Sequence, residues 1–408
     1  MDKVKVYSKG IVIVRNKKDN VNSRKSNRKR RTQRTPSRDE YRQNFSQDKR
    51  KKKLILKSIL AAVLVILIIA LSYFSLVLAG AQNLLDSAYT PRKNTTTING
   101  KSVGNLNENI DPIKDPISIL VMGIDDNSER KLGSARTDTM MLLTLNPKEG
   151  SINMVTIPRD TYTSINTKKF VGYDKINTAY TYGGDEGAIQ AVQDLTNVPI
   201  NYYLTIDFQA FEDIIDALGG IKVNVPMNIH SEYASEEDPN AGEILIHKGE
   251  QTLNGKNALI FARIRKIDND IERGKRQQLV VQKVIEKATE VGSITKYNKV
   301  LTALKGHMWT DMKSDTMLSV AQSALKTSYS IHSYVFDWSS FTSDPNGAGS
   351  ASYVSLNADS LSYVSHKFRL ALGLDSKDER DAEGYTFKTD GIPSTKTYPS
   401  YGAYSDNN

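Results

Sequence analysis

From Ser58 to Asn83 the chain reads SILAAVLVILIIALSYFSLVLAGAQN without one charged residue. As a helix this segment is long enough to cross ~30 Å of hydrocarbon. It therefore divides the chain into an N-terminal and a C-terminal part that cannot share a core. Residues 1–53 carry 20 Lys/Arg against 5 Asp/Glu, and a positive flank of that size holds the N-terminus in the cytoplasm. The expected organisation is a basic leader (1–53) without fixed structure, a single N-terminal transmembrane helix (54–81) and an extracytoplasmic remainder, a single-pass protein of the cell membrane. A cleaved signal peptide ending near Ala79-Gly80-Ala81 is the rival, but the uncharged stretch exceeds the ~7–15 residues of a signal core.

The formal charge of +9 has to be divided the same way. The leader contributes +15, so the rest of the chain sums to −6. A nucleic-acid reader would need a basic footprint on its folded part, and none is expected here. The leader suits anionic lipid at the inner leaflet, or serves only to set topology. With no cysteine in the chain, disulfides, thiol nucleophiles and thiolate metal sites are excluded. The five histidines show no ligand spacing, which argues against zinc.

Residues 82–114 are rich in Thr, Asn and Gly and read as an extracytoplasmic stalk. A compact domain is expected over 115–375. ISILVMGI (117–124), MMLLTLN (140–146) and SINMVTIP (151–158) are apolar runs of strand length, the last two joined across Asn146–Gly150 as a hairpin. DEGAIQAVQDLTN reads as a helix, INYYLTID as a strand, FQAFEDIIDALGG as a helix closed by Gly219, and IKVNVPMNI as a strand. This alternation predicts an α/β domain, a mixed central sheet covered by helices. Residues 291–375 extend the same domain, and 376–408 form a polar tail without periodic apolar positions.

Charges collect beside these apolar runs, in GIDD, ARTDTMMLL, VTIPRD and IFARIRKIDNDIERGKRQQ. Arg136, Arg159, Arg263, Arg265, Arg273 and Arg276 lie there with Asp125, Asp138 and Asp270. Planar guanidinium groups match phosphate oxygens and carboxylates carry hard cations, so the set suits a pyrophosphate held with a divalent metal. Arg273, Arg276, Gln277, Val280 and Val284 share one stripe of a helix opening near Glu272, whose N-terminus favours an anion. Arg263 and Arg265 share a face if their segment is extended and diverge if it is helical; a structural salt bridge with Asp268 or Asp270 is the alternative. Asp125, or Asp126 in its place, and Asp138 sit at strand ends, where Mg²⁺ and turn chemistry are both served.

GIDD, ARTDTMMLL, IPRDT, KINTAY with the following GG, IDFQAFEDIIDALGGIKVNVP, LNGKNALIFARIR and DNDIERGKRQQ stand in the order of the LytR-CpsA-Psr family. Over about 117–280 the chain resembles that family, which also has a single N-terminal anchor. The resemblance implies an Mg²⁺-dependent enzyme that moves an anionic glycopolymer, of teichoic acid or capsule type, from a polyprenyl-pyrophosphate carrier to peptidoglycan. By match to the family motifs, Asp125 and Asp138 would bind Mg²⁺. Arg136, Arg159, Arg263, Arg265, Arg273 and Gln277 would line the pyrophosphate site, with Arg276 grouped beside them, Asp270 would orient the arginines, and Lys175 of KINTAY joins the substrate site. Arg263, Arg265 and Asp270 are the expected catalytic group. The carrier tail needs an apolar groove, for which FQAFEDIIDAL offers a wall. The rivals are a protein that binds or hydrolyses polyprenyl pyrophosphate without transfer, and a membrane-bound transcriptional attenuator.

Overall fold

A computed structural model describes residues 80–376, except 81, 84, 93–95, 99–100, 105–109, 126–135, 231–241, 265–269, 291–293 and 348. The leader, nearly all of the expected anchor, the C-terminal tail from 377 and, within the site, Arg265, Asp126 and Asp268 lie outside the described residues. Among the described residues no helix is long and apolar enough to cross a membrane.

In chain order the elements are β1 (Thr96–Ile98), β2 (Lys101–Gly104), β3 (Ile117–Ile124), β4 (Thr137–Asn146), β5 (Ser151–Ile157), β6 (Tyr162–Asn166), β7 (Val171–Lys175) and α1 (Thr178–Thr196). Next come β8 (Tyr202–Asp207), α2 (Phe208–Leu218), β9 (Ile221–Val225), β10 (Ile229–His230), β11 (Ile244–Ile246), β12 (Gly249–Leu253), α3 (Gly255–Arg263) and α4 (Asp270–Glu290). The last third holds α5 (Ile294–Leu304), β13 (Met308–Thr310), α6 (Ser314–Lys326), β14 (Ser330–Tyr334), β15 (Trp338–Ser343), β16 (Ala351–Leu356) and α7 (Ala358–Ala371).

The central sheet has six strands in the order β13-β8-β3-β4-β5-β14. It is mixed as expected: β3 runs parallel to β8 and β14 parallel to β5, and the other neighbours are antiparallel. The near-continuous apolar runs follow from burial on both faces. Along β4, Met140 and Leu142 pack with Ala188, Val192, Leu361 and Phe368 of α1 and α7, whereas Met141 and Leu145 pack on the opposite face with Met312, Val281 and Met317. Fully burying a side chain of this size contributes about 1.5–3 kcal/mol.

Local chemistry sets the connections. In the β4–β5 turn the Asn146 side chain accepts from the N–H groups of Lys148 (3.0 Å) and Glu149 (3.1 Å), an Asx turn. Asp207 ends β8 and caps α2 by accepting from Ala210 N at 2.8 Å, and Gly219 closes α2 with φ 86°. Helix α1 opens earlier than DEG suggests, because two helical pieces join across Gly184 (φ 61°, ψ −152°), a backbone state open to glycine.

The stretch read as a stalk proves to be part of the domain. Leu85, Ala88 and Ile98 are buried, Thr310 N donates to Ala88 O (3.0 Å), and Thr90 N to Thr310 O (2.6 Å), so 88–90 extends the sheet beyond β13. The Arg92 guanidinium pairs with Asp311 and donates to the carbonyls of Ile200 and Asn201. Composition misled here because the ties are main-chain bonds and one arginine. Residues 291–375 likewise supply both edges of the six-stranded sheet, β13 and β14.

Burial holds the Asp311 carboxyl above its usual range, with Arg92 opposing that rise. Its folded form thus binds a proton more readily than its unfolded form, so its contribution to stability is largest at acid pH and is lost as pH rises through the folded value. Arg92→Met should cost about 3–5 kcal/mol at pH 7, and part of that loss should return at pH 4. Urea unfolding at the two pH values measures both, and an unchanged midpoint at pH 7 would show that 82–92 is a free stalk.

Candidate functional site

The charged residues gather where the sheet strands end. Opposite Gly123 and Ile124 of β3 stand Thr139 and Thr137 of β4, so the register slips and Asp138 is left as the extra residue of a bulge. Asp125 follows β3 at the same end of this ladder. On the next strand, Ile157 of β5 runs into the turn Pro158–Thr161, closed by Thr161 N to Pro158 O at 3.0 Å. Two neighbours clamp this turn: Asn177 N donates to Arg159 O (3.2 Å) and Val354 N of β16 to Asp160 O (2.9 Å).

A run of ion pairs crosses the cluster. Arg159 Nη1 is 2.7 Å from Asp138 Oδ1, Arg159 Nε is 3.7 Å from Asp160 Oδ2, and Lys175 Nζ is 2.9 Å from Asp160 Oδ1. These side chains are about one-fifth exposed, so the charges are screened less than on an open face. Asp160 stands in the IPRD block, yet no sequence signal set it apart, because its pairing with Lys175 exists only once the two segments meet. Two N–H groups, Arg159 Nε and Trp338 Nε1, are buried with no acceptor within hydrogen-bond distance. Donors of that kind suit an anion.

Helix α4 brings its first turns to the same end of the sheet. Arg273 is buried and pairs with Asp270 at 3.2 Å. Gln277 Nε2 donates to Thr139 Oγ1 at 3.0 Å, next to Asp138. A small pocket lies here, bounded by Asp138, Thr156, Asp270, Arg273, Gln277 and Trp338 among others. Trp338 arrives from β15, and no spacing in the sequence marked it.

Arg276 faces elsewhere. The helical step turns it toward α3, where Nε donates to Phe261 O at 3.0 Å and Nη2 to Ile264 O, and it does not line the pocket. Its placement in the pyrophosphate group is corrected: it caps carbonyls left open at the end of α3. Arg263 ends α3, and Ile264 is extended (φ −59°, ψ 134°), so this segment is helical up to Arg263 and not beyond. The exposed Arg263 guanidinium lies 4.2 Å from the Phe208 ring centroid. Arg136 is also exposed, at the start of β4.

A second pocket, mainly apolar, shares Gln277 with the first. Val121, Met141, Ile206, Phe208, Phe211 and Val280 line it, with Arg263 among its walls. Phe208 and Phe211 belong to FQAFEDIIDAL, the helix read as one wall of a groove. The site therefore has a charged compartment opening beside an apolar one.

Among the described residues no group of three or more His, Cys, Asp or Glu side chains is placed to hold a metal. Asp125 and Asp138, at one end of the β3–β4 ladder, fit a different coordination: Mg²⁺ commonly takes one or two carboxylates and fills its remaining positions with phosphate oxygens and water.

These features place a pocket with charged walls beside a mainly apolar one at the strand ends of an α/β domain. The family model for LytR_cpsA_psr matches residues 78–367, and the chain belongs to that family. It is 36% identical over 246 residues to the polyisoprenyl-teichoic acid–peptidoglycan teichoic acid transferase TagU of Bacillus mycoides, covering 60% of this chain and 74% of TagU. Its fold is similar to the crystal structure of TagV from Bacillus subtilis (TM-score 0.54, 30% identity, 64% of this chain and 99% of that one). A structure of TagT bound to LIIa-WTA is similar too, with TM-score 0.53 and 29% identity over 65% of this chain and 94% of that one.

The two arginines of α4 should behave differently on substitution. Arg276→Met should lower stability by about 1–3 kcal/mol, the cost of stranding buried carbonyls. Arg273→Met should weaken binding of inorganic pyrophosphate with a smaller loss of stability. Thermal unfolding and calorimetric titration of both variants test this, and the opposite ranking would return Arg276 to the ligand site.

Proposed function

We propose that this chain is an enzyme that moves an anionic glycopolymer, of teichoic acid or capsule type, from a polyprenyl-pyrophosphate carrier to a hydroxyl of peptidoglycan. The observation that carries this reading is the junction at Gln277, where a pocket lined by Asp138, Asp270 and Arg273 adjoins one lined by Phe208, Phe211 and Val280. A polyprenyl pyrophosphate has the same division, and each methylene buried in the apolar part contributes about 0.8 kcal/mol. The TagU relative, named as a transferase of teichoic acid from a polyisoprenyl carrier to peptidoglycan, supports the same substrate pair.

Transfer here is positioning and charge neutralisation. Arg159 and Arg273, with Arg265 assigned by the family motif, meet the charge that develops on the phosphate oxygens. The acceptor oxygen forms a bond to phosphorus as the bond to the polyprenyl phosphate breaks, and the electron pair departs with that phosphate. The hydroxyl proton passes to a carboxylate of the cluster. Asp160 keeps Lys175 and Arg159 in place, and Asp270 does so for Arg273. Asp125 and Asp138 would hold Mg²⁺, which when bound supplies positive charge beside the phosphates.

The uncharged run Ser58–Asn83 supports an anchor that keeps the domain on the outer side of the cell membrane, next to a lipid-linked donor. Peptidoglycan lies on that side, and nucleic acid does not.

Lipid-linked polymer and peptidoglycan, incubated with the full chain and Mg²⁺, should give a covalent polymer–glycan product. Asp138→Ala and Arg265→Ala should each reduce its rate about 10²–10³-fold, the range for losing one preorganised charge contact. Chelation of divalent cations should abolish the product and added Mg²⁺ restore it. Undiminished product in both variants would overturn the site, and carrier hydrolysis without coupling would overturn the transfer.

A further inference from the structure

The β6–β7 hairpin pairs Tyr162 with Lys175, Ser164 with Tyr173 and Asn166 with Val171. Alternation puts these three pairs on one face, while Thr163 and Ile165 face inward and are buried. Val171 is 77% exposed and Tyr173 37% exposed, so both side chains are open to a ligand.

This face has a direction. At its inner end Lys175 is 2.9 Å from Asp160, which neighbours Arg159. At its outer end Val171 lies four residues away, ~13 Å at the rise of a strand and roughly the length of two or three linked sugar rings. The aromatic floor is braced: Tyr162 stacks on Tyr173 with centroids 5.1 Å apart, and Phe341 and Tyr353 meet Tyr162 edge-on at 5.3 and 5.4 Å. Lys175 Nζ is 5.5 Å from the Tyr353 centroid. An aromatic face with a polar tip can cover the apolar side of a sugar ring and bond its hydroxyls. Burial pushes the Tyr162 and Tyr353 hydroxyls up, so both stay neutral donors.

The hairpin and the apolar pocket share no lining residue. Between them run Gln277 to Thr139, Asp138 to Arg159, and Asp160 to Lys175. In-line displacement at phosphorus brings the incoming oxygen from the side opposite the leaving group. With the polyprenyl phosphate on the apolar side, the hairpin stands on the incoming side.

We propose that the exposed face of the β6–β7 hairpin receives the acceptor, an N-acetylhexosamine glycan strand of peptidoglycan, laid along Tyr173 so that its hydroxyl reaches the phosphate beside Lys175. This rests on the transfer function proposed for the chain and adds where the acceptor lies. Binding on this face changes no covalent bond, and the transfer keeps the electron and proton path already given.

Initial rates of the full chain, with soluble peptidoglycan glycan and lipid-linked donor varied separately, test the placement. Tyr173→Ala should raise the KM for the glycan about tenfold and leave kcat and the donor KM within twofold. Tyr173→Phe should stay near wild type. Val171→Glu, at a position too exposed to disturb folding, should also raise the glycan KM. A raised donor KM in Tyr173→Ala would assign the face to donor sugars, and unchanged constants would leave it no role; either overturns the proposal. Saturation-transfer NMR with N-acetylglucosamine–N-acetylmuramic acid oligosaccharides reads the same face without turnover. Wild type should give a ring signal that Tyr173→Ala loses. Wild-type turnover with no such signal defeats the acceptor face alone, whereas the signal without turnover defeats the transfer function alone.

Discussion

A sheet covered by helices on both faces leaves charged side chains only one place to go, the rim where its strands end. Strands β3, β4 and β5 bury Leu120, Met122, Met140, Leu142 and Val155 on one side and Ile117, Met141 and Met154 on the other. A charge among these would cost several kcal/mol without a partner. Asp125, Asp138, Arg159 and Asp160 are accordingly placed where β3, β4 and β5 begin or end, and the β4 bulge at Asp138 is the local break in pairing that accompanies this.

The two pockets arise from the same constraint. Helix α4 crosses the rim with polar residues in its first turns and Val280, Val281 and Val284 further on. One helix thus borders the charged compartment with Asp270 and Arg273 and the apolar one with Val280 and Val281, and Gln277 touches both. The pattern of the α4 stripe, polar then apolar, is the linear trace of a binding site that changes character along its length.

Much of this was legible in the sequence where periodicity and residue chemistry coincide. The apolar runs of β3 to β5, the glycine-closed α2 and the mixed α/β class reflect physical patterns that survive folding unchanged. The Asp138, Arg159, Asp270 and Arg273 cluster was legible because arginine and aspartate beside apolar strands have few inexpensive places to go. What stayed hidden depends on contacts between distant segments. Arg276 shares a helical stripe with Gln277 yet turns to the carbonyls of Phe261 and Ile264, a partner no spacing announces. Trp338 reaches the pocket only through the β15 strand, and Arg92 finds Asp311 across more than two hundred residues.

The origin of the two outer strands of the central sheet has a kinetic consequence. Strands β8 and β5 are made early, but the strands that cover their free edges, β13 and β14, come from the last third of the domain. Until that part is available, both edges offer unpaired backbone groups to any other chain. Such long-range pairing also slows folding, since loop closure must precede the contacts that reward it. A chain of this topology is thus most vulnerable to association during its synthesis, and a loss of its C-terminal third would open two aggregation-prone edges at once.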